Sequence, residues 1–367
     1  MNNENSLTAR QLMILVFLVA VGTTVLVVPS LLAMESKQDA WIAGIAGVAI
    51  GLLFIRMYVR LAKMFPAQSL FDMNETVFGK WLGKAFTLLY VFIAAVISAQ
   101  VLFYIGAFMT TQIMPTTPIQ SIHILMITFV IIGAKLGVII LARTAEIFFP
   151  WMVLLLILLF ICVTPQADVI NLLPIGEASL MSIARSSYYI VVFSYFPIAF
   201  VLCLITNQVK LPVRFSKAFT YGGITSGVVL VLITLFSIIV MGPDQSSRQI
   251  YATYALAKKI SVGNFLQRIE VTVAFLWFIS IYFKLTLYFN AVLQGIASLF
   301  RLQNYKAFAT PTGLIITVLS LLVYPNVAYS HHWDEFTWIP LATCIGFIHP
   351  ALLIGVGYLR KKMTNNS

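Results

Sequence analysis

Apolar runs of about 18 residues or more recur from Leu12 to Tyr358, and this recurrence limits what the chain can become more than any other feature. Each run can cross a hydrocarbon core about 30 Å thick as a helix. Only 10% of the 367 residues are charged and 60% are hydrophobic, against about 25% and 45–50% in a soluble domain. No long soluble domain remains outside the runs. The expected class is an all-α integral membrane protein with about ten transmembrane helices and a single transmembrane domain over residues 1–367. Spans are predicted near 12–34, 41–61, 86–113, 119–137, 145–163, 186–208, 219–241, 269–300, 309–327 and 338–358. Punctuators separate them, among them Leu211-Pro212, Gly242-Pro243 and Tyr324-Pro325. The polar head Met1 to Gln11 lacks a basic n-region with a small-residue cleavage site, so the first span is expected to be retained.

A net charge of +11 invites a nucleic-acid reading, but in so apolar a chain the position of the cations matters more than their sum. On the ten-span scheme sixteen Lys and Arg fall on one side and six on the other. The positive-inside rule then puts both termini in the cytoplasm and makes the lipid bilayer, not nucleic acid, the partner of this charge. Lys284 belongs to neither side. The long outer loop contains Gln249 to Lys258, whose apolar spacing suits a short amphipathic helix, either a lid over a cavity or a plain connector.

Cys162, Cys203 and Cys344 fall inside apolar runs without metal-ligand spacing and are read as small core residues. His123 and His349 have no partners at ligand spacing and read as packed histidines. None of the twelve acidic residues falls clearly at mid-membrane, and no Ser/His/Asp grouping or phosphate-binding glycine loop is present. No enzyme, metal or cofactor is expected.

Two spans carry interruptions that lipid tolerates only where backbone lines a cavity or is buried in protein. The first contains Gly22-Thr-Thr-Val-Leu-Val-Val-Pro29, and the sixth contains Phe193-Ser-Tyr-Phe-Pro197. Either could be an ordinary kink. Spans one and six are corresponding members of two five-helix halves, about 10–164 and 183–358, as an inverted repeat requires. Half-helix ends at such breaks suit a small zwitterion. In the third span Gln100 and Tyr104 share a face at i, i+4, either lining the same cavity or bonding between helices. Lys284 lies about 21 Å along a helix from Glu270, near the bilayer centre. A charge there costs about 2.5–3.5 kcal/mol, so it should face the protein interior.

The first-span motif resembles that of the amino acid/polyamine/organocation transporters, and Phe193-Ser-Tyr-Phe-Pro-Ile-Ala-Phe200 resembles their broken sixth helix. More specific are Leu141-Ala-Arg-Thr-Ala-Glu-Ile-Phe-Phe-Pro150, Asn171-Leu-Leu-Pro174, and Asn264-Phe-Leu-Gln-Arg-Ile-Glu270 followed by Trp277 and Phe283-Lys284. Together they resemble the B subunit of the spore germinant receptors, the endospore germination permease family, over essentially the whole chain.

That resemblance implies a LeuT-type 5+5 inverted-repeat fold with broken helices one and six. It also implies residence in the inner membrane of a bacterial endospore and a complex with A-type and C-type subunits. The implied activity is sensing: the subunit binds a small nutrient, an amino acid or a sugar, and the complex triggers germination. Carried over, the pocket comprises Gly22, Thr23, Thr24 and Val25 with Ser194, Tyr195, Phe196 and Pro197. Pro197 stands where many transporters of the superfamily carry glycine. In sodium-coupled relatives carbonyls at the helix-one break hold a cation against helix eight, so the Lys284 ammonium is expected either to stand in for that ion or to serve packing alone. The alternative function is a proton-coupled or sodium-independent amino acid permease.

Overall fold

The computed structural model describes residues 6–205, 213–259 and 270–365. Leu211-Pro212 and residues 264–269 of the motif ending at Glu270 lie outside them. Among the described residues nine helical stretches are long and apolar enough to cross a membrane, from Thr24–Met64 to Val327–Lys362, and a shorter apolar helix, Ala9–Val21, precedes them. The first stretch, at 41 residues, is too long for one crossing, since it would reach about 60 Å. It turns at Lys37, where a φ of 48° ends the helix Thr24–Ser36 before Ala40–Met64 begins. Ala9–Val21 and Thr24–Ser36 together make the first of ten spans. Large side chains such as Trp81, Phe92, Ile147, Ile161 and Leu314 are exposed on them, as hydrocarbon rather than water would favour.

Polar contacts gather alternate connections at one end of the bundle. Lys361 donates to the Met64 carbonyl, Arg360 to Thr76 and Lys84 to Leu299. Residues 56–63 at the end of span two share a cleft with Ser216 and Thr220 at the start of span seven. Gly222 of span seven packs on the backbone of Met13.

Proline explains several long-range contacts. It has no N–H to return to the carbonyl four residues back, and a buried carbonyl needs a donor. Pro29 faces this problem with Val25, Pro197 with Phe193, and Pro350 with Gly346. In each case a hydroxyl from another part of the chain donates: Thr253 to Val25, Thr24 to Phe193 at 3.1 Å, and Tyr58 to Gly346 at 2.7 Å. The breaks are thus joints between elements.

Three expectations change. Cys344 is exposed on span ten, whereas Cys162 and Cys203 are buried. Span five starts at Val138 rather than Ala145, which moves Glu146 from the second residue of the span to its third turn, paired with Arg10 at 3.4 Å and bonded by Gln11 at 3.0 Å. The tenth span begins at Val327 and passes through a π-helical turn, Asp334–Trp338, so Asp334 is on the span rather than before it. Its charge and that of Glu335 depress local hydropathy and hide the helix start.

Candidate functional site

Span one breaks where the sequence suggests. Thr8 caps Ala9–Val21 through a reciprocal pair with Gln11, and the helix stops at Gly22, whose N–H reaches Leu18 at 3.0 Å. Helix resumes at Thr24. Gly22 is needed for a close approach: a Cβ there would lie 2.2 Å from Cδ of Lys284. The lysine stem crosses the break over this glycine, and its Nζ donates to the Thr23 hydroxyl at 3.0 Å. The partner is therefore a hydroxyl, whereas the sequence suggested carbonyls of residues 22 to 25. Lys284 is 2% exposed.

Span six changes helix type at its break. A regular helix, Leu180–Ile190, capped by Ser179, gives way to a π turn, Val191–Tyr195, and then to a 3-10 stretch, Phe196–Leu204. This rewinding decides which side chains face inward. Phe193 reaches the cavity beside span one. Ser194, Tyr195, Phe196 and Pro197 do not line it. Tyr195 instead lies over Gly51 and donates to the Gly223 carbonyl at 2.9 Å, and Phe196 packs edge-on against Phe54. The Ser194 hydroxyl is buried with no partner among the described residues. Val25 is buried too, and its contribution is the carbonyl that receives Thr253.

Between the two breaks lies a cavity of about 60 Å3. Thr23, Thr24 and Phe193 line it together with Gln100 and Tyr104 of span three, Trp277 and Lys284 of span eight, and Asp334 and Trp338 of span ten. Sequence reasoning brought Thr23, Thr24, Gln100, Tyr104 and Lys284 to this place and missed Asp334. The Tyr104 hydroxyl lies 2.7 Å from both carboxylate oxygens of Asp334. A lysine and an aspartate therefore face one cavity, and no ion pair joins them. Gln100 Nε2, Trp277 Nε1 and Trp338 Nε1 are buried donors without a partner among the described residues, which is costly unless something accepts from them.

Val27, Phe193 and Asp334 also line a second cavity, of about 240 Å3, whose other walls include Ser30, Tyr189, Arg248 and Glu335. These three residues therefore partition a small inner chamber from a larger, more polar vestibule. Beside them, Tyr251 closes the inner chamber, and the short helix Ala252–Lys258 that follows is held down by Thr253 on Val25. The loop is packed against the first span beside the chamber.

The histidines are structural. His123 Nδ1 lies 2.8 Å from the Ser320 hydroxyl, and His349 bonds Asn74 at 2.8 Å and Tyr90 at 3.0 Å. Among the described residues no group of His, Cys, Asp and Glu could hold a metal ion.

A family model described as "Spore germination protein" matches residues 6–328. Spore germination protein KB of Bacillus subtilis (strain 168) is 28% identical over 98% of this chain and 97% of its own. Spore germination protein XB of Bacillus anthracis is 21% identical over 92% and 94%. Among solved structures, the nucleobase-cation-symport-1 family transporter Mhp1, closed with bromovinylhydantoin bound, superposes with a TM-score of 0.67 at 11% identity, covering 94% of this chain and 80% of that one. At that identity the likeness concerns the fold alone.

Proposed function

The chain belongs to the spore germination protein family of multi-pass membrane proteins, and from that premise we propose that it is the nutrient-sensing B-type subunit of a spore germinant receptor. It acts by binding, not by catalysis. It resides in the inner membrane of the endospore with both termini cytoplasmic, and it works with A-type and C-type subunits. The halves 10–164 and 183–358 are read as inverted repeats that bring the two breaks together.

One observation carries this reading: Lys284 and Asp334 face a single chamber at the breaks, unpaired with each other, beside three buried N–H donors that lack partners among the described residues. Such a chamber suits a small zwitterion, an α-amino acid. Its carboxylate would accept from Lys284 and the free N–H groups, and its ammonium would meet Asp334. A sugar has no charge to offer either residue. The chamber of about 60 Å3 is far below the roughly 300–1,000 Å3 of ordinary ligand sites. Ligand entry therefore requires Phe193, Val27 and Asp334 to part from the vestibule side, and this movement is what partner subunits would read.

The test is a germination dose response across single amino acids, with subunit level measured in the spore membrane. Asp334→Asn and Lys284→Met should each raise the half-maximal amino acid concentration at least tenfold at normal subunit level. Unchanged curves in both variants would remove the chamber from the recognition step. Labelled amino acid accumulating in vesicles that contain only this chain would favour the permease reading.

A further inference from the structure

Away from the chamber, the last turns of the helix Ala40–Met64 carry three cations on one face. Arg56, Arg60 and Lys63 are spaced at i, i+4 and i+7 and all are exposed. With Ser216 and Thr220 of span seven they line a cleft of about 310 Å3. No carboxylate lines it, and none of the three cations makes an ion pair among the described residues. The like charges repel one another, and an anion in the cleft would relieve that repulsion.

Arg60 also lines a second groove, of about 780 Å3, whose remaining walls are apolar and come from the last span. Phe347, Ile348, Leu352, Gly355 and Leu359 form much of it. Residues 347 to 359 rise about 18 Å along a helix, long enough to follow much of an acyl chain into the hydrocarbon. A Cβ on Gly355 would meet nothing within 4 Å, so this position is open floor. A cationic cleft at the end of one span thus continues, through a shared arginine, into a shallow, open apolar channel along the surface of another.

We propose that cleft and channel form one binding site for an anionic phospholipid, with the headgroup phosphate between Arg56, Arg60 and Lys63 and an acyl chain laid past Gly355. A free phosphate ion would account for the cations and leave the adjoining apolar channel without a role. A zwitterionic lipid would bring its own cation into a cleft that already holds three.

Native mass spectrometry of the purified full chain, with phosphatidylglycerol or phosphatidylcholine added, tests this. Phosphatidylglycerol should be retained at least fivefold better. The double variant Arg60→Gln/Lys63→Gln should lose that preference. Gly355→Leu, which fills the channel from a separate wall, should lower phosphatidylglycerol retention with the cations intact. Both variants alter exposed positions, and each should melt like the parent in phosphatidylcholine. Equal retention of the two lipids, an unchanged preference in both variants, or displacement of the lipid by millimolar inorganic phosphate would each overturn the site.

Discussion

Thr24 donates its hydroxyl to the carbonyl of Phe193 at 3.1 Å, and Phe193 is the residue whose carbonyl Pro197 cannot serve. The bond ties the second half of span one to the break of span six, beside the chamber that both residues line. Two elements far apart in sequence thus meet at one carbonyl that its own helix leaves without a donor. Movement of either changes the hydrogen bonding of the other.

That coupling can be measured. Thr24→Val should cost about 0.5–2 kcal/mol of stability, the usual range for an interhelical hydrogen bond in a membrane. In a Pro197→Ala background, where a backbone N–H returns, the same substitution should cost less. Equal costs in the two backgrounds, by thermal unfolding in detergent, would show that the proline does not create the need for Thr24.

The Lys284 to Thr23 contact predicts a second asymmetry. Thr23→Val leaves a buried ammonium without its hydroxyl, so it should destabilise by roughly 1–3 kcal/mol. Lys284→Met, which removes charge and donor together, should be tolerated better. A double variant no worse than Lys284→Met alone would confirm that the two residues serve each other; additive losses would not.

Gly22→Ala should be poorly tolerated, because the new methyl would sit 2.2 Å from the Lys284 stem. Overpacking of this kind costs about 1–3 kcal/mol. Lys284→Ala removes the obstructing Cδ and should restore much of the folded yield of Gly22→Ala. Failure of the pair to recover, read by size-exclusion profile, would place the clash elsewhere.

Topology has its own check. Cysteines at Lys63 and Asp168 should react with impermeant reagents from opposite faces, with Lys63 on the cytoplasmic side. Labelling of both from one face would break the ten-span arrangement.

The spans and the break at Gly22 were legible in the sequence because both rest on local chemistry. Hydropathy decides which segments enter lipid, and glycine and proline mark where a helix cannot continue. Lys284 was legible for the same reason, since a cation deep in an apolar run must turn inward. What could not be read was the direction of side chains after Ile190. The π turn shifts the helical period, so Phe193 takes the inward position that the family resemblance assigned to Ser194 and its successors. Asp334 was missed because the pair Asp334-Glu335 looks like the end of a loop. One available signal was that the residues back to Val327 contain neither glycine nor proline, so the helix could extend through the acids. The hydroxyl donors were hidden differently. Pro29 announces an orphan carbonyl at Val25, but nothing local says that Thr253, more than two hundred residues away, will meet it.

Span ten is anchored unevenly. In its lower half Tyr58 and Tyr90 bond the Gly346 and Ile345 carbonyls within a π turn, and His349 is tied to Asn74 and Tyr90. In its upper half, at the first π turn, Asp334 is bonded to Tyr104. A rod held near its middle and tugged at one end pivots rather than slides. On the proposed reading the tyrosine clamp would act as a fulcrum, and a ligand's ammonium pulling on Asp334 would swing the upper arm through an arc while the lower arm answered with a small counter-rotation. The output of the chamber would then be a torque felt at the far end of the last helix, where Lys361 holds the Met64 carbonyl.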